Sequence, residues 1–344
     1  MDYKESGVDI DAGTQVVRRV QELARETFTR GVLSEIGSFG GLFQPDLADV
    51  GEPVLVSSAD GVGTKLKIAF LTGRHRTVGR DLVNHCVNDI LVQNARPLFF
   101  LDYLGTGKLS PTASAEVIQG VADGCRENGC ALLGGETAEM PGFYADGEYD
   151  VVGFIVGIVD RSRLLDGQSI RPGDRLLGLS SAGLHTNGYS LARRVLFDAM
   201  GLTVDSPFEE VSPAATVGDV LLAPHRSYLG VVGPLLDAGH VRGLAHITGG
   251  GLTDNVPRVL PAGTGVRIDR ASWTVPPLFE ILRREGQIPD EDMYRTFNMG
   301  LGMVVVCRES DVDRVRRLLV EAGEPEAPVI GEVVEGNGHV SYVG

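Results

Sequence analysis

Three stretches of the chain combine carboxylates, glycines and a lysine at spacings that could handle phosphate. The first, DGVGTK, opens on Asp60 and closes a strand-like run, PVLVSSADGVGTK. It is not a Walker loop, which places its lysine directly before the hydroxyl residue at the end of a longer glycine arc. Here Thr64 precedes Lys65, and one residue separates Gly61 from Gly63. The second stretch, TVGRDLVNHCVNDILVQN (77–94), has helical spacing. At 100° per residue, Val83, Cys86, Val87 and Ile90 share one face, and Asp81, Asn84, His85, Asn88 and Asp89 share the opposite arc. A polar arc is usually solvated, but this one lacks the Lys and Glu that solvated helix faces favour. Its short side chains suit ligation, with Asp89 the leading metal candidate. The third stretch, GGETAEMPG (134–142), sets Glu136 directly after a Gly-Gly pair. That is either a surface glutamate in a tight turn or a carboxylate beside backbone that a ligand can approach. Together, Asp60, Asp89 and Glu136 would form the oxygen-rich, partly hydrated site that Mg²⁺ prefers when it bridges substrate phosphates.

Two further loops repeat the physics of anion binding at strand ends. SSAGLHTNGYS (180–190) reads as strand, loop and helix, with Thr186 or Asn187 as candidate caps, Gly188 and loop N–H groups facing an anion, and His185 at the mouth. A lone histidine is usually structural; its glycine-flanked loop is what argues for a role here. AHITGGG (245–251) again reads as strand, glycines and helix start. One such loop is weak evidence, whereas several at strand ends point to a ligand with several phosphates. Arg295 and Asn298 in MYRTFNMGLGM (293–303) fit a glycine-stopped helix end as well as a substrate contact.

The elements that must position these residues alternate along the chain. Helices are predicted over 14–30, 77–94 and 110–129, the last opened by Ser110 and Pro111 and stopped by Gly129. Strands are predicted over 53–60, 96–105, 130–135 and 149–160. After the polar connector 160–174, strands fall at 175–183, 264–270 and 301–308, with two more at the end. Between them, helices fall at 186–201, near 225–239, at 252–260, 277–286 and 290–297, and at 309–324, the last read as a solvated face. Alternating strands and helices give an α/β or α+β reading for two domains, 1–165 and 166–344, which is also the prior for 344 residues.

Composition narrows the partners. A formal charge of −15 argues against nucleic acid, so any phosphate site must rely on backbone N–H groups, a few cations or bridging metal. The four cysteines, Cys86, Cys125, Cys130 and Cys307, form no CxxC pair and read as buried thiols in a reducing cytosol. The polar, acidic N-terminus is not a signal peptide, and no apolar run approaches the ~20 residues of a membrane span. A cytoplasmic location, without membrane or nucleic-acid partners, is expected.

Seven stretches, taken in order, resemble the phosphoribosylformylglycinamidine cyclo-ligases, the aminoimidazole ribonucleotide synthetases of purine biosynthesis. They are YKESGVDIDAG, SSADGVGTK, CVNDILVQNARPLFFLDYLGTGKL, GGETAEMPG, SSAGLHTNGYSL, AHITGGG and MYRTFNMGLGM, and they span nearly the whole chain. The resemblance implies an N-terminal ATP-binding and dimerisation domain, paired across a homodimer into a β-barrel, and a C-terminal α/β domain. It implies ATP, Mg²⁺ and formylglycinamidine ribonucleotide as ligands, with a monovalent cation as a further candidate. It assigns Asp60, Asp89 and Glu136 to Mg²⁺ and the ATP phosphates, with Gly61, Gly63 and Thr64 beside them and Lys65 as a point charge. Asp60, Lys65 and His185 are the catalytic candidates, His185 either as a proton shuttle or as an orienting group. Asn187, His246, Thr248, Gly249 and Gly250 would border the ribonucleotide and its phosphate, and Tyr3 to Asp11 would lie over the nucleotide. Leu184 and Thr186 depart mildly from the commonest form of the histidine motif. Sister enzymes remain as alternatives. A selenophosphate synthetase would carry a reactive residue in the glycine-rich loop, and GSFGG (37–41) has none; a hydrogenase-maturation dehydratase would end in cysteine, and this chain ends HVSYVG. A kinase acting on a phosphate monoester is the runner-up. A non-catalytic nucleotide-binding paralogue should have lost the carboxylates or Lys65, and all are present.

Overall fold

A computed structural model describes residues 10–37 and 39–344. The segment expected over the nucleotide, Tyr3 to Asp11, falls outside the described residues except for the backbone start of a helix, Ile10–Arg25. Two compact units divide the chain, the first comprising Met1–Ile90 and Ala95–Ser162, the second Leu91–Asn94 and Arg163–Gly344.

The first unit is built on a four-stranded sheet of β1 (Pro53–Gly61), β2 (Arg96–Thr106), β3 (Ala131–Glu139) and β4 (Tyr149–Asp160), in the order β1-β4-β2-β3. All neighbours are antiparallel except β2 and β3. A parallel pair needs a crossover, and the helix Pro111–Glu127 supplies it. Its ends follow from sequence: Ser110 Oγ accepts the Ala113 N–H at 3.4 Å, Pro111 sits in the first turn, and the chain leaves through Gly129 at φ 64°. This helix crosses a second one, Arg76–Leu91, in direct backbone contact. A Cβ on Gly79 would overlap the Val117 carbonyl, and one on Gly120 would overlap that of Arg76. One sheet face buries Val56, Phe100, Leu104, Val151 and Ile155. The other presents Leu55 and Phe154, 65% and 44% exposed, with Val152, Val156 and Leu101 half-buried around them.

The second unit carries a six-stranded sheet, with β5 (Arg175–Ser180), β6 (Gly243–His246), β7 (Thr264–Asp269), β8 (Leu301–Cys307), β9 (Val329–Glu335) and β10 (Val340–Val343) in the order β10-β7-β9-β5-β8-β6. Only β10 and β7 run parallel. β8 is buried along its whole length, which is why LGMVVVC reads as a continuous apolar run. Leu177, Leu179, Met303 and Val305 pack against Tyr228, Val232 and Leu235 and against Val315 and Leu319. The last two lie on the helix Val312–Glu321, so the stretch read as a solvated face is amphipathic, with an i, i+4 apolar pair in the core. The helix expected over 186–201 starts later, at Tyr189, behind Gly188 in a left-handed conformation at φ 77°. Neither Thr186 nor Asn187 caps it. Its second half, Arg194–Ala199, widens to i→i+5 spacing, with the Met200 N–H donating to Val195 O at 3.0 Å.

All four cysteines are free and buried, and burial pushes the Cys86 and Cys125 thiols well up. Among the described residues, no helix is long and apolar enough to cross a membrane.

Candidate functional site

The end of β1 and the helix Arg76–Leu91 bring Asp60, His85 and Asp89 together. Asp60 Oδ2 lies 2.9 Å from His85 Nε2, and Asp89 Oδ2 lies 3.8 Å from the same nitrogen. Ser58 Oγ donates to Asp89 Oδ2 at 2.9 Å, and the Gly61 N–H donates to Asp60 Oδ1 at 2.7 Å. Burial pushes Asp60 up, but the hydrogen bond and charge of His85 outweigh it and hold the carboxyl below its ordinary range. Burial likewise pushes His85 down, and its hydrogen bond to Asp60, with the charges of Asp89 and Asp60, raises it overall. Two partly exposed carboxylates thus converge beside one imidazole nitrogen, and their oxygens are donors of the kind a hard cation takes.

The polar arc of this helix is not a solvated face. Asp81, Asn84, His85 and Asn88 are all buried. Asp81 receives Lys65, whose side chain is fully buried with Nζ 2.8 Å from Asp81 Oδ2. Lys65 therefore anchors its turn, Gly63–Lys65, to the helix, where the expectation was a point charge meeting phosphate. Burial lowers its pKa by more than Asp81 raises it. Gly61 lies close to the neighbouring strand, where a Cβ would stand 3.2 Å from Val151 O.

Glu136 is separated from the other two carboxylates. Residues Asp60, Gly153, Asp102 and Gly135 lie in line across the sheet, so Glu136 sits three strands away, roughly 14 Å at ordinary strand spacing. It also pairs with Tyr103 on the opposite face from Asp60. Oxygens on one Mg²⁺ lie within about 4 Å of each other, so one chain cannot gather all three on a single ion. Alternation across strands, invisible in a list of motifs, is the reason. Glu136 instead lines a cavity of about 620 Å³ with Val17, Ile36, Leu101, Asp102 and Phe154. Asp102, which sequence reasoning missed, is 7% exposed there, and burial pushes its carboxyl up to about 7. An acid inside the otherwise apolar RPLFFLDYLG was the available signal.

In the second unit, the loops after β5 and β6 meet. Asn187 Oδ1 stands 3.1 Å from where a Cβ on Gly249 would be, so a side chain there would press on Asn187. Buried Asn255 donates to the carbonyls of Thr248, Gly249 and Gly251 at 3.3, 3.1 and 2.8 Å, and Thr248 Oγ1 donates to Asn255 Oδ1 at 3.3 Å. Gly250 takes φ 99° and Gly251 φ 57°, values closed to most side chains. His185 does not open onto a loop mouth. It is 1% exposed, in a left-handed conformation at φ 60°, and its Nε2 accepts the Ala182 N–H at 3.1 Å. It stacks on His225, ring centroids 4.0 Å apart, and His225 reaches His246, Nε2 to Nε2, at 3.0 Å. His225 carries no spacing signal and was missed. Asn298 donates to Gly183 O at 2.8 Å and receives the Gly300 N–H, while Arg295 pairs with Asp254 at 3.1 Å.

Residues 46–159 match the family model of the AIR synthase related protein, N-terminal domain, and residues 171–344 match its C-terminal domain. Among solved structures, thiamine-monophosphate kinase from Stenotrophomonas maltophilia shares the fold, with a TM-score of 0.70 at 18% identity over 96% of each chain. The molecule is thus a two-domain protein of the AIR synthase-related class, with mixed sheets in both units. Curated relatives narrow this further. Phosphoribosylformylglycinamidine cyclo-ligase of Trichlorobacter lovleyi is 54% identical over 331 residues, 96% of this chain and 94% of its own length. That of Geobacillus thermodenitrificans is 51% identical over 342 residues, 99% and 98% respectively. The chain belongs to the phosphoribosylformylglycinamidine cyclo-ligase family.

Proposed function

We propose that this chain closes the imidazole ring of formylglycinamidine ribonucleotide at the expense of ATP, giving aminoimidazole ribonucleotide, ADP and phosphate in de novo purine biosynthesis. The carrying observation is identity above 50% to cyclo-ligases over nearly the full length of both partners. An amide oxygen is a poor leaving group until it becomes a phosphate ester. ATP phosphorylates the formamide oxygen, an amidine nitrogen attacks the activated carbon, and phosphate departs. Positioning and charge stabilisation are the protein's main contributions to such a step.

Asp60 and Asp89 would hold Mg²⁺, whose charge offsets that of the ATP phosphates; their convergence on His85 is the observation that fits them to a cation. Lys65 acts through Asp81 by holding the Gly63–Lys65 turn in place. Glu136 belongs with the cavity beside β3. In the second unit, Asn187, His246, Thr248, Gly249 and Gly250 border the ribonucleotide, and buried His185 orients the cluster. Residues 1–165 form the ATP-binding and dimerisation domain, and 166–344 the C-terminal α/β domain. A second copy covers the apolar face around Leu55 and Phe154, two four-stranded sheets closing into a barrel. The setting is cytoplasmic. The likeness to a kinase at 18% identity supports the fold alone, and no observation favours transfer to a phosphate monoester.

Purified protein with the formylglycinamidine substrate, ATP and Mg²⁺ should release ADP in step with the imidazole product; added monovalent salt tests the further cation. Absence of substrate-dependent ADP release would overturn the assignment.

A further inference from the structure

Asp102 is 7% exposed, and its carboxyl makes neither a hydrogen bond nor an ion pair to any other described residue. Burial pushes it up to about 7, opposed only by a hydrogen bond from its own backbone N–H. A polar group so buried costs free energy unless something pairs with it. Its register partner on β3 is Gly135, where a Cβ would overlap Asp102 Oδ1. The Gly134–Gly135 pair, bare of side chains, leaves the carboxyl open to the cavity that Asp102 and both glycines line. Because β3 is an edge strand, this cavity reaches both faces of the sheet. Asp102 and Ile118 line it from the buried face, and Leu101, Glu136 and Phe154 from the other.

The lining selects what can enter. Glu35, Asp102 and Glu136 bring three acids to it, and no Lys, Arg or His is among the described lining residues. Phosphate would be repelled there, whereas an apolar body with N–H donors would not. The apolar walls and a volume of about 620 Å³ suit a flat heterocycle. A protonated carboxyl sets one donor beside one acceptor. That pattern complements the edge of an aminopurine, where an exocyclic N–H lies next to a ring nitrogen.

We propose that Asp102 is a specificity-determining residue that recognises the adenine of ATP in this cavity. Its carbonyl oxygen accepts the 6-amino N–H, and its O–H donates to the adjacent ring nitrogen. The phosphates extend away from the acids of the lining. This rests on the reading that the chain uses ATP.

The test measures nucleotide binding to the full chain by calorimetry at pH 6.5 with Mg²⁺. The probes are ATP and purine riboside triphosphate, which lacks the 6-amino group. Wild type should bind ATP about tenfold more tightly than the analogue, the scale of one lost hydrogen bond. Asp102→Leu should weaken ATP about tenfold and leave the two nucleotides equal, since the amino group then has no partner to lose. Asp102→Asn, whose amide also sets a donor beside an acceptor, should keep the preference for ATP. Should Asp102→Leu not fold, Asp102→Ala takes its place, and the wild-type comparison needs no variant. Equal binding of the two nucleotides by wild type, or a preference for ATP that survives in the Leu or Ala variant, overturns the proposal. Binding of neither nucleotide by wild type would instead overturn the ATP reading, and the proposal with it.

Discussion

Lys65 and Asp81 show what one residue pair does in this fold. Both are fully buried, and removing one partner of a buried ion pair leaves the other charge uncompensated. Lys65→Met should cost ~3–5 kcal/mol in urea unfolding, and adding Asp81→Leu should recover most of it. Recovery would not occur if Lys65 were serving a ligand rather than its turn. Asp102 makes a prediction with pH. Its folded value of about 7 lies above its ordinary 3.8, so the folded state holds the proton more tightly and stability falls as pH rises between the two values. Asp102→Asn should therefore stabilise the protein at pH 8, by up to ~4 kcal/mol on that shift, and not at pH 3.5. A pH-independent effect would show that Asp102 stays ionised. Asp89→Asn should keep the fold while losing at least ~100-fold in turnover; a near-normal rate removes Asp89 from the metal site. Asp89 was legible as an acid on an arc lacking Lys and Glu. Asp102 was signalled only as a lone acid in an apolar run and His225 by nothing in its neighbours, so neither was picked out.

At the scale of elements, the first unit depends on the crossing of Arg76–Leu91 with Pro111–Glu127. Gly79 and Gly120 let the two backbones touch, which sets the angle at which His85 and Asp89 meet β1. Gly120→Ala should destabilise by at least ~1–3 kcal/mol, because the added carbon overlaps a carbonyl that cannot rotate away. Gly230→Ala, on the exposed side of the helix Leu229–Ala238 with open space around it, should stabilise by ~0.5 kcal/mol. Equal effects at the two positions in thermal melts would refute the close-crossing argument. Both first-unit helices were visible from periodicity and caps, and Ser110, Pro111 and Gly129 behave as their types dictate. Their contact was not, because a glycine inside a helical pattern looks the same whether it faces solvent or another backbone. The helix Val312–Glu321 was misjudged for a related reason: charged residues are as many as apolar ones in it, yet Val315 and Leu319 fall on one side.

For the whole molecule, the four-stranded sheet leaves one apolar face open, and the proposed homodimer closes it. Leu55→Glu with Phe154→Glu should shift sedimentation from dimer to monomer, since charges on that face cannot be desolvated in pairs. A dimer that persists would place the interface elsewhere.

The sequence by itself determined the family, because seven motifs in fixed order resemble the cyclo-ligases along nearly the whole chain. It also determined the strand–helix alternation, because periodicity and capping are local. Tertiary structure alone decided how the motifs combine. Strand order and the two-residue alternation of side chains set Glu136 apart from Asp60 and Asp89. Helix packing turned Lys65 inward onto Asp81, and the meeting of two loops placed His225 between Thr186 and His246. Those pairings join residues 16, 21 and 39 positions apart, and no local preference encodes such a distance.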